Sequence, residues 1–245
     1  MSAMRRLSPS SALVLFSGGQ DSSIALVWAL TRFERVETIA FDYGQRHQVE
    51  LAARVAVRRE IAQRFLSFAP RLGDDAVIDL SGLGAISETA LTRQAEIVIG
   101  ETGLPTTFVP GRNLVFLTMA AAYAYRRSAG VIVAGMCEAD FSGYPDCRRA
   151  ALDAQMQAIA LGMEAEFSLE TPLMHLTKAQ SWFLAEELGG KDLVDLLIEH
   201  THSCYLGDRA TRFDWGYGCG LCPACELRAN GWAGYVAARS RREIR

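Results

Sequence analysis

Residues 13–23 read Leu13-Val14-Leu15-Phe16-Ser17-Gly18-Gly19-Gln20-Asp21-Ser22-Ser23, and this stretch decides the fold. Residues 13–16 are an apolar run of the kind that fills a buried parallel strand. Ser17, Gly18 and Gly19 turn the chain, and residues 24–30 continue as a helix. A strand that ends in a small-residue loop and opens a helix directs free backbone N–H groups at one spot. The positive end of the helix dipole points there too. An anion belongs at that spot, most often a phosphate.

The loop is not a Walker A motif, which needs a longer Gly-to-Gly spacing and a Lys before the Ser/Thr. No Lys occurs between Met1 and Leu30. It is not the dinucleotide fingerprint either, because the third Gly is missing. The S-G-G-x-D-S pattern resembles the PP-loop of ATP pyrophosphatases. That resemblance implies cleavage of ATP between its α and β phosphates, with the loop holding the departing pyrophosphate.

Downstream, residues 36–41 form a second strand and run into Asp42-Tyr43-Gly44-Gln45. Residues 46–66 carry apolar side chains at helical spacing. Residues 76–80 make a third strand. Residues 81–107 are poorly patterned and long for a connection in a compact domain, as binding loops often are. Residues 114–125 are an apolar helix and residues 130–135 a buried strand, followed by the polar loop 140–148. Helices at 150–161, 176–188 and 193–199 and a short strand at 167–169 complete the pattern. Strands alternating with helices imply βαβ units and a parallel sheet, with the motif loops gathered at the strands' carboxyl ends. The expected fold is α/β with a doubly wound parallel sheet. Residues 1–199 form the α/β domain, and 200–245 a C-terminal metal-binding segment packed on it. Residues 240–245 are expected to fray.

Composition bounds the function. The chain has 245 residues, 50% apolar and 22% charged, which suits one substantial core. A net charge of −3 does not describe a nucleic-acid binder. No signal peptide or membrane span is expected. Four of the six cysteines cluster near the C-terminus at metal-like spacing, which fits a reducing cytoplasm.

Those four are Cys204, Cys219, Cys222 and Cys225. Four thiolates at this spacing suit tetrahedral zinc, and a closed site of this kind is structural. An iron–sulfur centre uses the same ligand set. The C-x2-C steps are expected to put three ligands on one tight turn, with the fourth arriving from the preceding loop. His200 and His202 precede Cys204 as ordinary loop histidines.

Other residues carry two readings each. Asp21 suits Mg2+ or phosphate positioning, and equally a helix cap. Arg112, after Pro110-Gly111, offers a fixed guanidinium to an anion or joins a surface ion pair. Lys178 sits at a helix start, where a cation is unfavourable, so it either answers an anionic ligand nearby or is simply solvated. Asp140, Tyr144, Asp146 and Arg148 form a polar cluster suited to a flat heterocycle. Cys147 is expected to be an inert thiol and Cys137 to lie beside the core.

SGGQDSS, FDYGQRH, TFVPGRN, DFSGYPDCR, ETPL, LTKAQ and SCY…CGLCPACELRANG, taken in order, resemble the 7-cyano-7-deazaguanine synthase family. The resemblance spans residues 13–231. It implies a PP-loop, α-hydrolase-like fold. It also implies a ligase that turns 7-carboxy-7-deazaguanine and ammonia into the nitrile with two ATP, in queuosine biosynthesis. It assigns ATP to Phe16, Ser17, Gly18, Gly19, Gln20, Asp21, Ser22 and Ser23, with Arg112 beside them. Asp21 and Lys178 are the candidate catalytic residues, and zinc falls to the four cysteines. Mg2+ accompanies the nucleotide. A cytoplasmic homodimer acting on small molecules, with no nucleic acid and no membrane, completes the expectation; another PP-loop enzyme acting on a tRNA base is the alternative. His47 or Asp140 could serve as base. One departure stands out: the stretch between Cys204 and Cys219 is longer than in many members, with four aromatics and two arginines.

Overall fold

The structure is a computed structural model that describes residues 4–45, 49–100, 103–138 and 144–243. Five strands build one parallel sheet: β1 (Ser8–Leu15), β2 (Arg35–Asp42), β3 (Leu72–Asp79), β4 (Ala129–Ala134) and β5 (Ser168–Glu170). Their order is β3-β2-β1-β4-β5. Leu13 stands beside Glu37 on one side and Ile132 on the other. The chain winds outward from β1 through β2 to β3, then returns to place β4 against the free side of β1. That reversal opens a crevice at the carboxyl ends of β1 and β4.

Helices cover both faces. α1 (Gln20–Arg32), α2 (Val49–Arg64), α6 (Lys178–His200) and α7 (Pro223–Glu243) lie on one side. The short α3 (Ser81–Ile86) follows β3, and α4 (Arg112–Arg127) and α5 (Arg149–Met163) lie on the other side. The pleat explains the split. Ala12 and Val14 of β1 enter a core with Ile24, Val57, Trp182, Leu197 and Tyr235. Leu13 enters a second core with Ile39, Leu117, Ile132 and Met156.

The expected doubly wound sheet is present, with β1 starting at Ser8 rather than residue 13 and α3 formed by residues 81–86 of the stretch expected to be unpatterned; other details differ as well. The two helices expected at 176–188 and 193–199 are halves of α6, broken at Gly189 and at Gly190, whose φ is 65°. Residues 223–243 form a long helix that the pattern did not announce, so residues 240–243 continue α7 rather than fray. Its polar composition hid it, although Trp232 and Tyr235 pack on Trp182 at centroid distances of 5.1 and 6.4 Å. Finally, β3 begins at Leu72, four residues earlier than expected. Among the described residues, no helix is long and apolar enough to cross a membrane.

Candidate active site

The crevice holds a cavity of about 670 Å³. One end is the loop between β1 and α1. Gly19 caps α1 in an extended conformation without a side-chain cap bond, the Gln20 N–H donates to Ser203 Oγ at 3.5 Å, and the first turn faces the cavity through Gln20, Asp21 and Ser22. Gly18 takes φ 89°, and a Cβ there would lie 2.7 Å from both Glu50 O and Arg54 N. The loop therefore folds tightly onto α2. Gly135, just past β4, serves the other side: a Cβ would meet the Asp21 backbone at 2.8 Å. Hydroxyls knit the loop together. Ser17 Oγ lies 3.1 Å from Ser22 Oγ, and Ser23 Oγ donates to Gly19 O at 2.8 Å. Phe16, Ser17, Gly19, Gln20, Asp21, Ser22 and Arg112 line the cavity, whereas Gly18 and Ser23 shape the loop behind it.

Lys178 opens α6, where a capping box of Thr177 and Gln180 fixes the helix start. Its Nζ donates to Asp21 Oδ1 at 2.9 Å and Oδ2 at 2.7 Å. The anion that a cation at a helix start calls for is thus the Asp21 carboxylate, and Lys178 is not merely solvated.

Two buried arginines, absent from the sequence reading, support this end. Arg54 donates from Nε to Phe16 O at 2.7 Å and pairs with Asp75. Burial lowers its pKa and Asp75 opposes the shift. Arg228 of α7 donates to Trp215 O and Leu197 O, both at 2.9 Å, and borders the cavity. Burial brings it down to about 10, so it stays charged at neutral pH. Neither is singled out in the sequence, although Arg228 lies within CGLCPACELRANG, because an arginine in a helix pattern ordinarily marks a solvated face.

The other end of the cavity is aromatic. Arg112 starts α4 and lies 5.5, 6.0 and 5.6 Å from the rings of Tyr43, Phe116 and Tyr144. Its Nη1 donates to Tyr43 OH at 3.3 Å. Among the described residues it has no ion pair, which removes the surface-pair reading. Tyr144 lies against this slot, with its OH 2.6 Å from Thr107 Oγ1. Asp146 instead accepts from the Asn113 N–H at 2.9 Å and so caps α4, and Arg148 is exposed. Of the expected polar cluster, Tyr144 thus faces the slot, Asp146 turns to α4 and Arg148 is exposed, while Asp140, like His47, lies outside the described residues. Cys147 is held as an inert thiol: burial pushes it up to about 12, and Asn113 Nδ2 donates to its Sγ at 3.1 Å. Cys137 donates to Leu176 O at 3.1 Å. Glu50 of α2, not singled out in the sequence, also faces the cavity.

The four cysteine Sγ atoms lie within 4.8 Å of one another. Cys219–Cys225 and Cys204–Cys222 are 3.9 and 4.0 Å apart. Four thiolates around one zinc at a bond length of about 2.3 Å would stand about 3.8 Å apart. The donor set and spacing therefore fit a single tetrahedral ion, with no room between the sulfurs for a multi-iron cluster. Cys225 lies within α7, so the three close ligands span a turn and a helix start rather than one tight turn. The long insert folds back on this cluster through a hairpin of β6 (Arg212–Phe213) and β7 (Gly216–Tyr217). Phe213 stacks on Trp215 at 4.7 Å, and Trp215 is buried against the cysteines. Tyr205, from the same insert, reaches the cavity.

The sequence model of the family described as queuosine biosynthesis protein QueC matches residues 11–236. The chain belongs to the QueC family. A relative from Polaromonas sp. (strain JS666 / ATCC BAA-500), named 7-cyano-7-deazaguanine synthase, is 62% identical over 94% of this chain and 98% of its own. One from Caulobacter sp. (strain K31), with the same name, is 61% identical over 93% of this chain and 91% of its own. A solved structure of a 4-thiouridine synthetase–RNA complex with bound ATP matches this QueC-family fold with TM-score 0.51 and 15% identity. That match covers 93% of this chain and 53% of the other, so the chain spans about half of that protein.

Proposed function

We propose that this chain is a 7-cyano-7-deazaguanine synthase, an ATP-dependent carbon–nitrogen ligase of queuosine biosynthesis. The observation that carries the reading is one cavity with two unlike ends: an open helix start beside Lys178 and Asp21, and an aromatic slot around Arg112. The first suits a triphosphate, the second a flat anionic heterocycle. The names of the relatives support the same reading.

The chemistry is adenylation twice over. The substrate carboxylate attacks the α-phosphorus of ATP, and pyrophosphate leaves toward the N–H groups of α1. Ammonia then displaces AMP to give the amide and a proton. The amide oxygen attacks a second ATP, again releasing pyrophosphate and a proton. Loss of AMP forms the nitrile. Lys178 balances charge on the phosphates, and Arg112 orients the acceptor.

Asp21 would hold the Mg2+ that arrives with ATP. Cys204, Cys219, Cys222 and Cys225 would hold zinc, which supplies folding free energy rather than chemistry. Residues 200–245 then act as a clamp on the 1–199 body. The family resemblance supports a cytoplasmic homodimer, and the net charge of −3 supports small-molecule substrates without nucleic acid.

Purified protein given ATP, Mg2+, ammonium and 7-carboxy-7-deazaguanine is expected to yield the nitrile, AMP and pyrophosphate. Release of ADP would overturn the adenylation reading. ATP cleavage that ignores the acid but responds to tRNA would overturn the choice of substrate.

A further inference from the structure

We infer that Glu50 is the specificity residue of the acceptor slot, its carboxylate receiving the two adjacent N–H donors of a guanine-type edge while Arg112 faces the acid group of the same ligand. The inference rests on the substrate reading above and adds to it the residue that selects the ring.

Glu50 stands in the first turn of α2, just past β2, on the wall of the cavity. Glu50 is half-buried, and among the described residues it has neither a hydrogen-bond partner nor an ion pair. A first-turn carboxylate does gain from the helix dipole. That gain needs no burial, and burial here works against it. Burial pushes the Glu50 carboxyl up, Arg112 pulls it back and Cys204 adds to the rise, leaving it at about 7. A carboxylate that lines a cavity beside Arg112 and has no partner among the described residues is placed to receive donors from a ligand.

Arg112 supplies the complementary half. It stands in the first turn of α4, the unfavourable end for a cation, and its recorded contacts are to Tyr43, Phe116 and Tyr144. Glu50 and Arg112 interact through space without forming an ion pair. The slot therefore presents separated opposite charges beside aromatic rings. A 7-carboxy-7-deazaguanine matches this arrangement: its acid group lies on the five-membered ring, and N1–H with the 2-amino group lies on the far edge of the six-membered ring. A carboxylate receives such a pair of donors in parallel, as it receives an arginine. A ring without the 2-amino group leaves one carboxylate oxygen unpaired, which is what makes polar sites discriminate.

The test compares kcat/KM for the acid and for its analogue lacking the 2-amino group, in wild type and in Glu50→Gln and Glu50→Ala, with calorimetric binding of both compounds alongside. Wild type is expected to favour the amino compound about 100-fold, and both variants less than about tenfold, the loss residing in KM and in the binding constant. Unchanged affinity for ATP and a cooperative melting transition no lower than that of wild type mark the variants as folded. Discrimination that persists in folded variants, or that wild type lacks, overturns the role of Glu50 while leaving the proposed activity standing. Wild type that neither binds nor converts either compound overturns the activity and this inference together.

Discussion

Lys178 Nζ lies 2.7 Å from Asp21 Oδ2, although 157 positions separate the two residues in the chain. The contact joins the start of α6 to the first turn of α1, at the mouth of the anion site. It fixes a cation where a polyphosphate would arrive and a carboxylate where a metal–nucleotide complex needs one. Asp21→Ala is expected to cut turnover by about 100-fold or more. Its melting temperature should stay within a few degrees of wild type, since Asp21 is partly exposed. Steady-state kinetics with thermal denaturation checks both. Gly19, not Asp21, caps α1, so near-normal turnover would leave Asp21 with only a structural pairing to Lys178.

The cysteine segment bears directly on the loop. The His202 N–H donates to Gly18 O at 3.2 Å, two residues before Cys204. Cys222→Ser is expected to lower metal content and thermal stability together, and to raise KM for ATP as the loop loses this support. Metal analysis on the purified variant decides: full metal content with wild-type stability contradicts the clamp.

Arg54 should matter beyond its distance from any ligand. Its guanidinium is 1% exposed and joins Phe16 O to Asp75. Arg54→Met leaves Phe16 O without its donor and Asp75 with only Thr38 and the more distant Arg58, a loss of about 2–3 kcal/mol. Urea denaturation measures it, and a change under about 1 kcal/mol would show that the pair is dispensable.

Glu50 gives a pH signature in the free protein. Its folded pKa of about 7 stands above the ordinary 4.5, so the folded state resists its ionisation. With the folded value raised, the unfolded state loses the proton first. Stability from this group is therefore full below about pH 4.5 and declines as pH rises through 7. Glu50→Gln should remove that decline and be the more stable protein at pH 8, by about 2 kcal/mol. Chemical denaturation across pH 5–8 reads it; parallel curves for the two proteins would contradict it.

The fold was legible because its signals are local. SGGQDSS names its own turn, and the apolar run at residues 130–135 needs no partner to be recognised as a buried strand. The four cysteines likewise carry their spacing in the sequence. What stayed hidden depends on what comes near in three dimensions. Arg54 and Arg228 look like solvated helix charges until Phe16 O and Trp215 O are found beside them. α7 lacks a strong apolar stripe, because its buried residues include Arg228 and Cys225. Glu50 belongs to no loop motif, and nothing in its sequence context sets it apart from other helix acids. The pairing of Lys178 was half visible: a cation at a helix start implied an anion, but only the fold could name Asp21.

The central claim is that one loop cradles pyrophosphate twice for each nitrile made. The direct measurement is the ratio of pyrophosphate released to nitrile formed, followed with the primary amide of the substrate as a second starting material. The account predicts two pyrophosphates per nitrile from the acid and one from the amide, with AMP in equal amount each time. A ratio of one from the acid, or nitrile from the amide without ATP, would contradict it.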